Sequence, residues 1–141
     1  MSIDILQLFW DSSQIELIVR LLIATMLGAL IGYQREIKER PAGLRTHMLV
    51  AMGSVIFTIL SFSVFSRSDP SRVASYVVVG IGFIGAGTII QVKNKVTGIT
   101  TASSLWVTAS VGMTIGVGYY LLGFVASILA VLVLALKGIT D

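Results

Sequence analysis

Long apolar stretches separated by short polar connections fill the sequence from about residue 15 onward. Three of them, residues 15–33, 48–65 and 73–92, each approach the roughly 20 apolar residues that a helix needs to cross about 30 Å of hydrocarbon. A fourth, residues 96–136, runs for 41 residues without Asp, Glu, Lys or Arg. As one helix it would be about 60 Å long, so we expect it to fold back near residues 116–120. The pattern predicts five membrane-spanning helices and an all-α, polytopic integral membrane fold.

Residues at the ends of these stretches predict where the helices start and stop. Pro41 ends the helical extension that follows the first span. Asp69 precedes Pro70, which places a good N-cap before a residue suited to the first position of the third helix. Thr100 or Thr101 is expected to cap the fourth helix.

Residues 1–14 precede the first span, and two predictions stay open for them. Apolar side chains beside Asp4 and Asp11, with Trp10 at the boundary, favour an interfacial helix, and a simple tail is the alternative. The first 19 residues contain acidic groups but no Lys or Arg, which is opposite to the charge of a cleaved signal peptide. Residues 15–137 are predicted to form the transmembrane domain.

The composition agrees with a lipid environment. Apolar residues make up 55% of the 141 residues, charged residues 12%, and the mean hydropathy is +0.94. A soluble domain of this size needs a more polar surface, so the lipid bilayer is the expected surrounding. The chain has no cysteine, which excludes disulfides and thiolate metal sites. No basic run is interleaved with aromatic residues, so a nucleic-acid partner is not expected.

The distribution of Lys and Arg predicts the orientation, because short cytoplasmic connections carry the excess of these residues. With the N-terminus outside, the inner connections hold seven basic residues, Arg35, Lys38, Arg40, Arg45, Lys93, Lys95 and Lys137. The outer side holds three, Arg20, Arg67 and Arg72. The sequence therefore predicts an N-terminus outside and a C-terminus inside.

Glycines recur at spacings that suit close helix packing. Gly28 with Gly32, and Gly112 with Gly116, have the GxxxG spacing. The third span carries a denser cluster, Gly80, Gly82, Gly85 and Gly87. Its literal GxGxxG is not a dinucleotide site, because no strand–turn–helix context or following acidic residue accompanies it. Two interpretations stay open: tight packing within or between subunits, or a broken helix over residues 80–87 whose carbonyls line a cavity.

Ion chemistry has few candidates in the spans. No Asp or Glu lies in the middle of any of them, which weakens the expectation of a cation carrier. Hydroxyl groups could still coordinate a partly hydrated ion, and these are Thr88, Thr100, Thr101, Ser103, Ser104 and Thr108. His47, the single histidine, is expected to form interfacial hydrogen bonds. Since no nucleophile–base pair or phosphate loop is present, we predict no enzyme and no cofactor, with Mg²⁺ binding left open.

Five sequence blocks together resemble the MgtC/SapB family of bacterial membrane proteins. They are GALIGYQRE from Gly28, PAGLRTH from Pro41, DPSR from Asp69, GIGFIGAG from Gly80 and GITTASSLW from Gly98, in the order of the family. Two departures stand out. Gln34 occupies a position where many members have Glu, and many members continue into a soluble C-terminal domain, whereas this chain stops at Asp141.

The resemblance implies a function in the bacterial inner membrane. The family is associated with adaptation to low magnesium and with virulence, and its members look like modulators of other membrane proteins. Together with the small-residue helix faces and the lack of carboxylates within the spans, the resemblance predicts a regulator linked to magnesium homeostasis. We expect it to act through helix–helix contacts, as a homo-oligomer or with another membrane protein as partner. An oligomeric channel or transporter for Mg²⁺ or another ion is the alternative. The motif residues that it implies are Glu36, Arg45, Thr46, Asp69, Arg72, Thr100, Thr101 and Trp106.

Overall fold

Five helices and one β-hairpin form the described part of the chain. The computed structural model describes residues 12–63, 69 and 71–136. The elements are α1 (Ser12–Ile37), α2 (Leu44–Ser63), α3 (Ser71–Ala86), β1 (Ile90–Val92), β2 (Lys95–Thr97), α4 (Ile99–Gly116) and α5 (Tyr120–Ala135). The predictions for residues 1–11, Arg67, Pro70 and Lys137 lie outside the described residues.

Two of the described helices have the length and composition of membrane spans. Ser13–Ile37 and Leu44–Ser63 are long and apolar enough to cross a membrane. Helices α3 and α5 are apolar but contain 16 residues each. Helix α4 has 18 residues with no charged side chain and seven hydroxyl groups. Most of these hydroxyls donate to a carbonyl three or four residues earlier, which satisfies them without a partner from outside the helix.

The predicted division of the long apolar stretch is confirmed. Helix α4 ends at Gly116 and α5 begins at Tyr120. Between them, Gly118 has a φ of 91°, a left-handed conformation that suits glycine. Arg20 of α1 donates through Nη1 to the Gly116 carbonyl at 2.6 Å and also pairs with Glu16, so α1 holds the end of α4.

The predicted end of the third span is wrong. Helix α3 stops at Ala86, and residues 90–92 pair antiparallel with residues 95–97. The helix ends because Gly87 and Thr88 turn the chain, with the backbone N–H and the hydroxyl of Thr88 both donating to the Gly85 carbonyl. The broken-helix interpretation is also wrong for Gly80, Gly82 and Gly85, because α3 is continuous through all three.

The start of α4 differs from the prediction as well. Its N-cap is Gly98, with a φ of 91° and no side-chain cap, and both Thr100 and Thr101 lie inside the helix. A Cβ at Gly98 would overlap the Thr88 carbonyl oxygen, so the close approach at the base of the hairpin requires glycine.

The predicted cap of α3 is confirmed. Asp69 Oδ1 accepts the backbone N–H of Ser71 at 3.0 Å and the Ser71 hydroxyl at 2.6 Å. These bonds, the one from the hydroxyl first, lower the pKa of the Asp69 carboxyl. A second cap comes from α2, where Ser61 Oγ accepts the backbone N–H of Ala74 at 3.2 Å.

Helix α2 lies between α1 and α4 and contacts both through glycine. A Cβ added at Gly28 of α1 would lie 2.7 Å from the His47 carbonyl oxygen and 2.8 Å from Ala51 Cβ. A Cβ added at Gly112 of α4 would lie 2.5 Å from the Ala51 carbonyl oxygen and 2.8 Å from Ser54 Cβ. Ala51 is thus clamped between the two glycines, and the backbones meet directly on both sides.

The second glycine of each pair repeats this arrangement. A Cβ at Gly32 would lie 2.8 Å from Leu44 Cα, and one at Gly116 would lie 2.7 Å from Thr58 Cβ. Both GxxxG pairs therefore serve packing within the chain. The apolar core around these contacts consists of Ala24, Leu27, Ile31, Val55, Val111 and Ile115.

Candidate functional site

A buried polar cluster joins α1, α2 and α4 at the end of the bundle where α1 ends and α2 begins, which we term the basic end. Its members are Arg35, His47, Thr101 and Ser104. The Arg35 side chain is 3% exposed, and its Nη2 donates to Thr101 Oγ1 at 2.9 Å. Its Nε is buried and has no partner among the described residues. The cluster therefore holds a guanidinium that is withdrawn from solvent and sparsely hydrogen-bonded.

His47 occupies the centre of the cluster and is fully buried. Its Nδ1 lies 2.8 Å from the Gly43 carbonyl oxygen, and its Nε2 lies 3.1 Å from Ser104 Oγ. A carbonyl accepts only, so Nδ1 carries the proton, and in a neutral ring Nε2 accepts from the Ser104 hydroxyl. That hydroxyl is also 2.8 Å from the Thr101 carbonyl. One serine proton is therefore shared between two acceptors, and its position depends on the charge of the ring.

The charge of the cluster is positive. Among the described residues, no carboxylate forms an ion pair with Arg35. The ion pair found there joins Arg20 and Glu16, at the opposite end of the bundle. No group of three or more His, Cys, Asp or Glu side chains in the described part is arranged to hold a metal ion. A divalent cation entering this end of the core would meet a like charge.

Glu36 caps a helix. Its Oε2 accepts the backbone N–H of Leu44 at 2.7 Å, which satisfies an otherwise unpaired donor at the start of α2. The same oxygen covers Gly43 so closely that any Cβ there would overlap it. Arg45 is exposed and makes no described ion pair with Glu36, although both lie at the basic end as predicted.

The end of α5 is held by Gln34 of α1 and by Lys38, which directly follows α1. Gln34 Nε2 and Lys38 Nζ donate to the Leu134 carbonyl at 2.7 and 2.8 Å. A Glu at position 34 could not donate to this carbonyl and would face the negative end of the α5 dipole. The departure from the usual family residue therefore has a structural reason.

The remaining motif residues are spread over the bundle. Asp69 and Arg72 lie at the opposite end, where α3 begins. Thr100 and Trp106 are exposed on α4, and Thr46 lines a groove on another face. The structure thus brings Thr101 into the buried cluster and separates the others, whose roles stay predictions.

The groove lies between α2 and α3 and has a volume of about 600 Å³. Gly53 and Gly80 both line it, and a Cβ at either position would have no atom within 4 Å. Gly82 also has open space. A Cβ added at Gly85 would lie 3.4 Å from Ala102 Cβ, and one added at Gly87 would lie 3.3 Å from the Ile84 carbonyl oxygen of its own helix. The other lining residues are Thr46, Leu49, Val50, Ser54, Phe57, Val73, Tyr76, Val77, Ile81 and Ile84.

Sequence reasoning missed the burial of Arg35 and the polar stripe of α2. Arg35 follows Gly28 and Gly32 at helical spacing, so the face that packs on α2 continues to the guanidinium. The stripe on α2 repeats with the same spacing and consists of His47, Ala51, Ser54, Thr58 and Ser61, all buried. Both signals were present in the sequence as periodic small and polar positions.

Comparison with known proteins adds the following similarities. The chain matches the MgtC family over residues 21–141. It is 45% identical over 127 residues to the putative magnesium transporter YhiD of Escherichia coli K12, covering 84% of this chain and 59% of that protein. It is 45% identical over 112 residues to protein MgtC of Salmonella typhimurium, covering 79% and 48%. The chain thus spans about half the length of these relatives, and no solved structure matches it significantly.

Proposed function

The chain belongs to the MgtC family, and from that premise we propose that it regulates another membrane protein through helix–helix contacts, in a process linked to magnesium. The observation that carries this proposal is the groove between α2 and α3, with Gly53 and Gly80 facing open space. The occupant that we propose is a transmembrane helix of the regulated protein.

The proposed setting is the bacterial cytoplasmic membrane, with all five helices crossing it and the basic end inside. At the basic end, the described basic residues are Arg35, Lys38, Arg40, Arg45, Lys93 and Lys95. At the opposite end they are Arg20 and Arg72. This asymmetry favours a cytoplasmic basic end by the positive-inside rule.

The groove suits a helix because apolar surface alone does not drive association in lipid. Helices in a membrane associate where small residues allow close backbone approach and hydrogen bonds form across the contact. Within the chain, Gly28 and Gly112 already allow this close approach of helix backbones. Gly53 and Gly80 present the same small surface without an internal partner, and Thr46 and Tyr76 supply hydroxyl groups beside it.

The packed interior supports contact over conduction. The backbones of α1, α2 and α4 meet at glycine, which leaves little space between them. The buried guanidinium of Arg35 places a positive charge at the basic end of that core without a described carboxylate. A cation path through a single copy would have to pass both features.

Filling the groove is expected to weaken the contact. Gly80→Leu projects a side chain into the groove, whereas Gly82→Leu lies two residues away on α3 with equal space and outside the groove lining. The measurement is photo-crosslinking in native membranes, with benzoylphenylalanine replacing Tyr76, which is 68% exposed. We expect a discrete adduct whose yield falls on the order of tenfold with Gly80→Leu, about 1.4 kcal/mol.

The control variant distinguishes loss of this contact from misfolding of the chain. Gly82→Leu should leave the adduct unchanged, and both variants should retain the helical circular dichroism and thermal midpoint of the original protein. An adduct that persists with Gly80→Leu, or that disappears equally with Gly82→Leu, would contradict the proposal. An adduct consisting of two copies of this chain would identify the groove as a self-association surface instead.

The alternative is an ion pathway between copies of the chain. The name of the similar YhiD protein, a putative magnesium transporter, favours it. So do the outward positions of Gly80 and Gly82, which leave backbone open to a neighbouring copy. Magnesium flux that rises with the proportion of oligomer in purified vesicles would support this alternative over the regulator.

A further inference from the structure

The β-hairpin between α3 and α4 exposes apolar and basic side chains together. Ile89, Ile90, Val92 and Val96 are 42–63% exposed. The two-residue turn begins at Lys93, and Lys95 follows it at the start of β2. All residues of β1 (Ile90–Val92) and β2 (Lys95–Thr97) are exposed, so the helices cover neither face of the hairpin.

Such a hairpin needs a surface to cover it. Isolated two-stranded hairpins are marginally stable in water, and the register places apolar side chains on both faces. Val92 lies opposite Lys95, and Gln91 lies opposite Val96. Lys93 has a φ of 52°, a left-handed conformation that Asn or Gly adopts at a lower conformational cost than lysine.

The hairpin also lies where a membrane surface would be. Helix α3 has 16 residues and is about 24 Å long, shorter than the roughly 30 Å of a bilayer core. Ile89 and Ile90 follow its end by three and four residues, and the Thr88 carbonyl packs against Gly98 to fix the base of the hairpin to α4. The apolar residues of the hairpin therefore extend the apolar stretch of α3 toward the water boundary.

The charge of this region is uniformly positive. No Asp or Glu occurs between residues 70 and 140, so the two lysines have no acidic neighbour along the chain. Cytoplasmic leaflets are anionic, and a Lys near such a surface binds it with about 1 kcal/mol, or roughly fivefold. Apolar groups beside lysines form the pattern of an interfacial lipid contact.

We propose that the hairpin lies in the headgroup region of the bilayer, with Lys93 and Lys95 against the phosphates of anionic lipids. The exposed isoleucines and valines insert at the boundary of the acyl chains. The inference rests on the proposed membrane topology and is independent of the regulated partner.

The absence of cysteine makes a direct test simple. A bimane label on Val96→Cys reports the environment of the hairpin. A label on Arg40→Cys reports an exposed connection at the same end of the bundle, in which residues 38–40 are all charged. The full chain is reconstituted in vesicles of equal parts phosphatidylcholine and phosphatidylglycerol, and in phosphatidylcholine alone. Quenching by nitroxide-labelled lipid is compared with quenching by iodide present on both sides of the membrane.

We expect the label at position 96 to be quenched by lipid in anionic vesicles and the label at position 40 by iodide. Lys93→Asn with Lys95→Gln keeps the turn, because Asn tolerates the left-handed conformation, and removes both charges. This variant should reduce the ratio of lipid to iodide quenching at position 96 on the order of 30-fold, and neutral lipid should act in the same direction.

Two results would overturn the inference. Equal iodide access at positions 96 and 40 in anionic vesicles would place the hairpin in water. Protection of position 96 from both quenchers would indicate cover by protein. Lipid quenching of Leu122→Cys, on the exposed face of α5, reports separately whether the helices are inserted, so a failure of the hairpin inference is distinguished from a failure of the membrane topology.

Discussion

Gly112→Ala is expected to destabilise the folded chain by about 2 kcal/mol, the typical cost of overpacking a close contact. The added methyl group would lie 2.5 Å from the Ala51 carbonyl oxygen and 2.8 Å from Ser54 Cβ. The first neighbour is backbone, so the helices have to separate to relieve the overlap. Unfolding of the purified protein in mixed micelles, followed by circular dichroism during titration with sodium dodecyl sulfate, measures the change.

Gly82→Ala is the matched control. The same methyl group meets no atom within 4 Å there, and glycine in a helix interior is about 0.5–1 kcal/mol less favourable than alanine. This variant should therefore be as stable as the original protein or slightly more stable. Equal effects at positions 82 and 112 would show that α4 and α2 do not meet at glycine.

Gly28→Ala extends the same test to the other side of α2. Its methyl group presses on Ala51 and His47, so the two substitutions act on one residue from opposite directions. Their effects should not add, because neighbouring sites that share a contact couple by about 0.5–3 kcal/mol. Additive effects would contradict the clamp around Ala51.

Thr101→Val should cost more stability than Arg35→Met, although the threonine is the smaller and neutral partner. Valine removes the hydrogen bond that the guanidinium makes within the described residues and leaves a buried cation unsatisfied, at about 2–3 kcal/mol. Methionine instead removes the charge and keeps an apolar chain of similar length, which is often neutral or stabilising for buried ionic groups.

A double-mutant cycle in the same micelle titration completes this prediction. Arg35→Met combined with Thr101→Val should be about as stable as Arg35→Met alone, because no buried guanidinium remains that could lose its hydrogen bond. Independent, additive losses would show that Arg35 and Thr101 do not contact each other. A large loss with Arg35→Met would show that the guanidinium itself stabilises the bundle.

Chain patterning predicted the helices well because their length and composition are local properties. The stretches ending near Ser63 and Gly116 were identified by apolar length and by turn residues alone. The hairpin was missed because Ile90 and Val92 continue the apolar run of α3, and a short apolar run does not distinguish a strand from the end of a helix. Residues 90–92 form a strand because they pair with residues 95–97, and this pairing is not visible in the apolar pattern of either segment alone.

The candidate site was only partly predictable for a related reason. Thr101 was identified by its motif, but its contact with Arg35 joins residues 66 positions apart and depends on how α1 and α4 pack. Glu36 was identified as a motif residue, but its capping of α2 depends on the turn at Gly43, which brings its carboxylate to the Leu44 N–H. Periodicity predicted which face of a helix is buried, but it did not predict which other helix packs against that face.

Magnesium entry into sealed vesicles tests the central proposal, regulation by contact, most directly. Purified protein, shown to be helical and inserted, is reconstituted with a magnesium-sensitive dye inside, beside empty vesicles and vesicles holding the Gly80→Leu variant. We expect entry no faster than into empty vesicles, because the core is closed by glycine contacts and carries the Arg35 charge. Entry well above empty vesicles, and slowed by Gly80→Leu, would contradict the regulator and establish an ion pathway along the outward glycines.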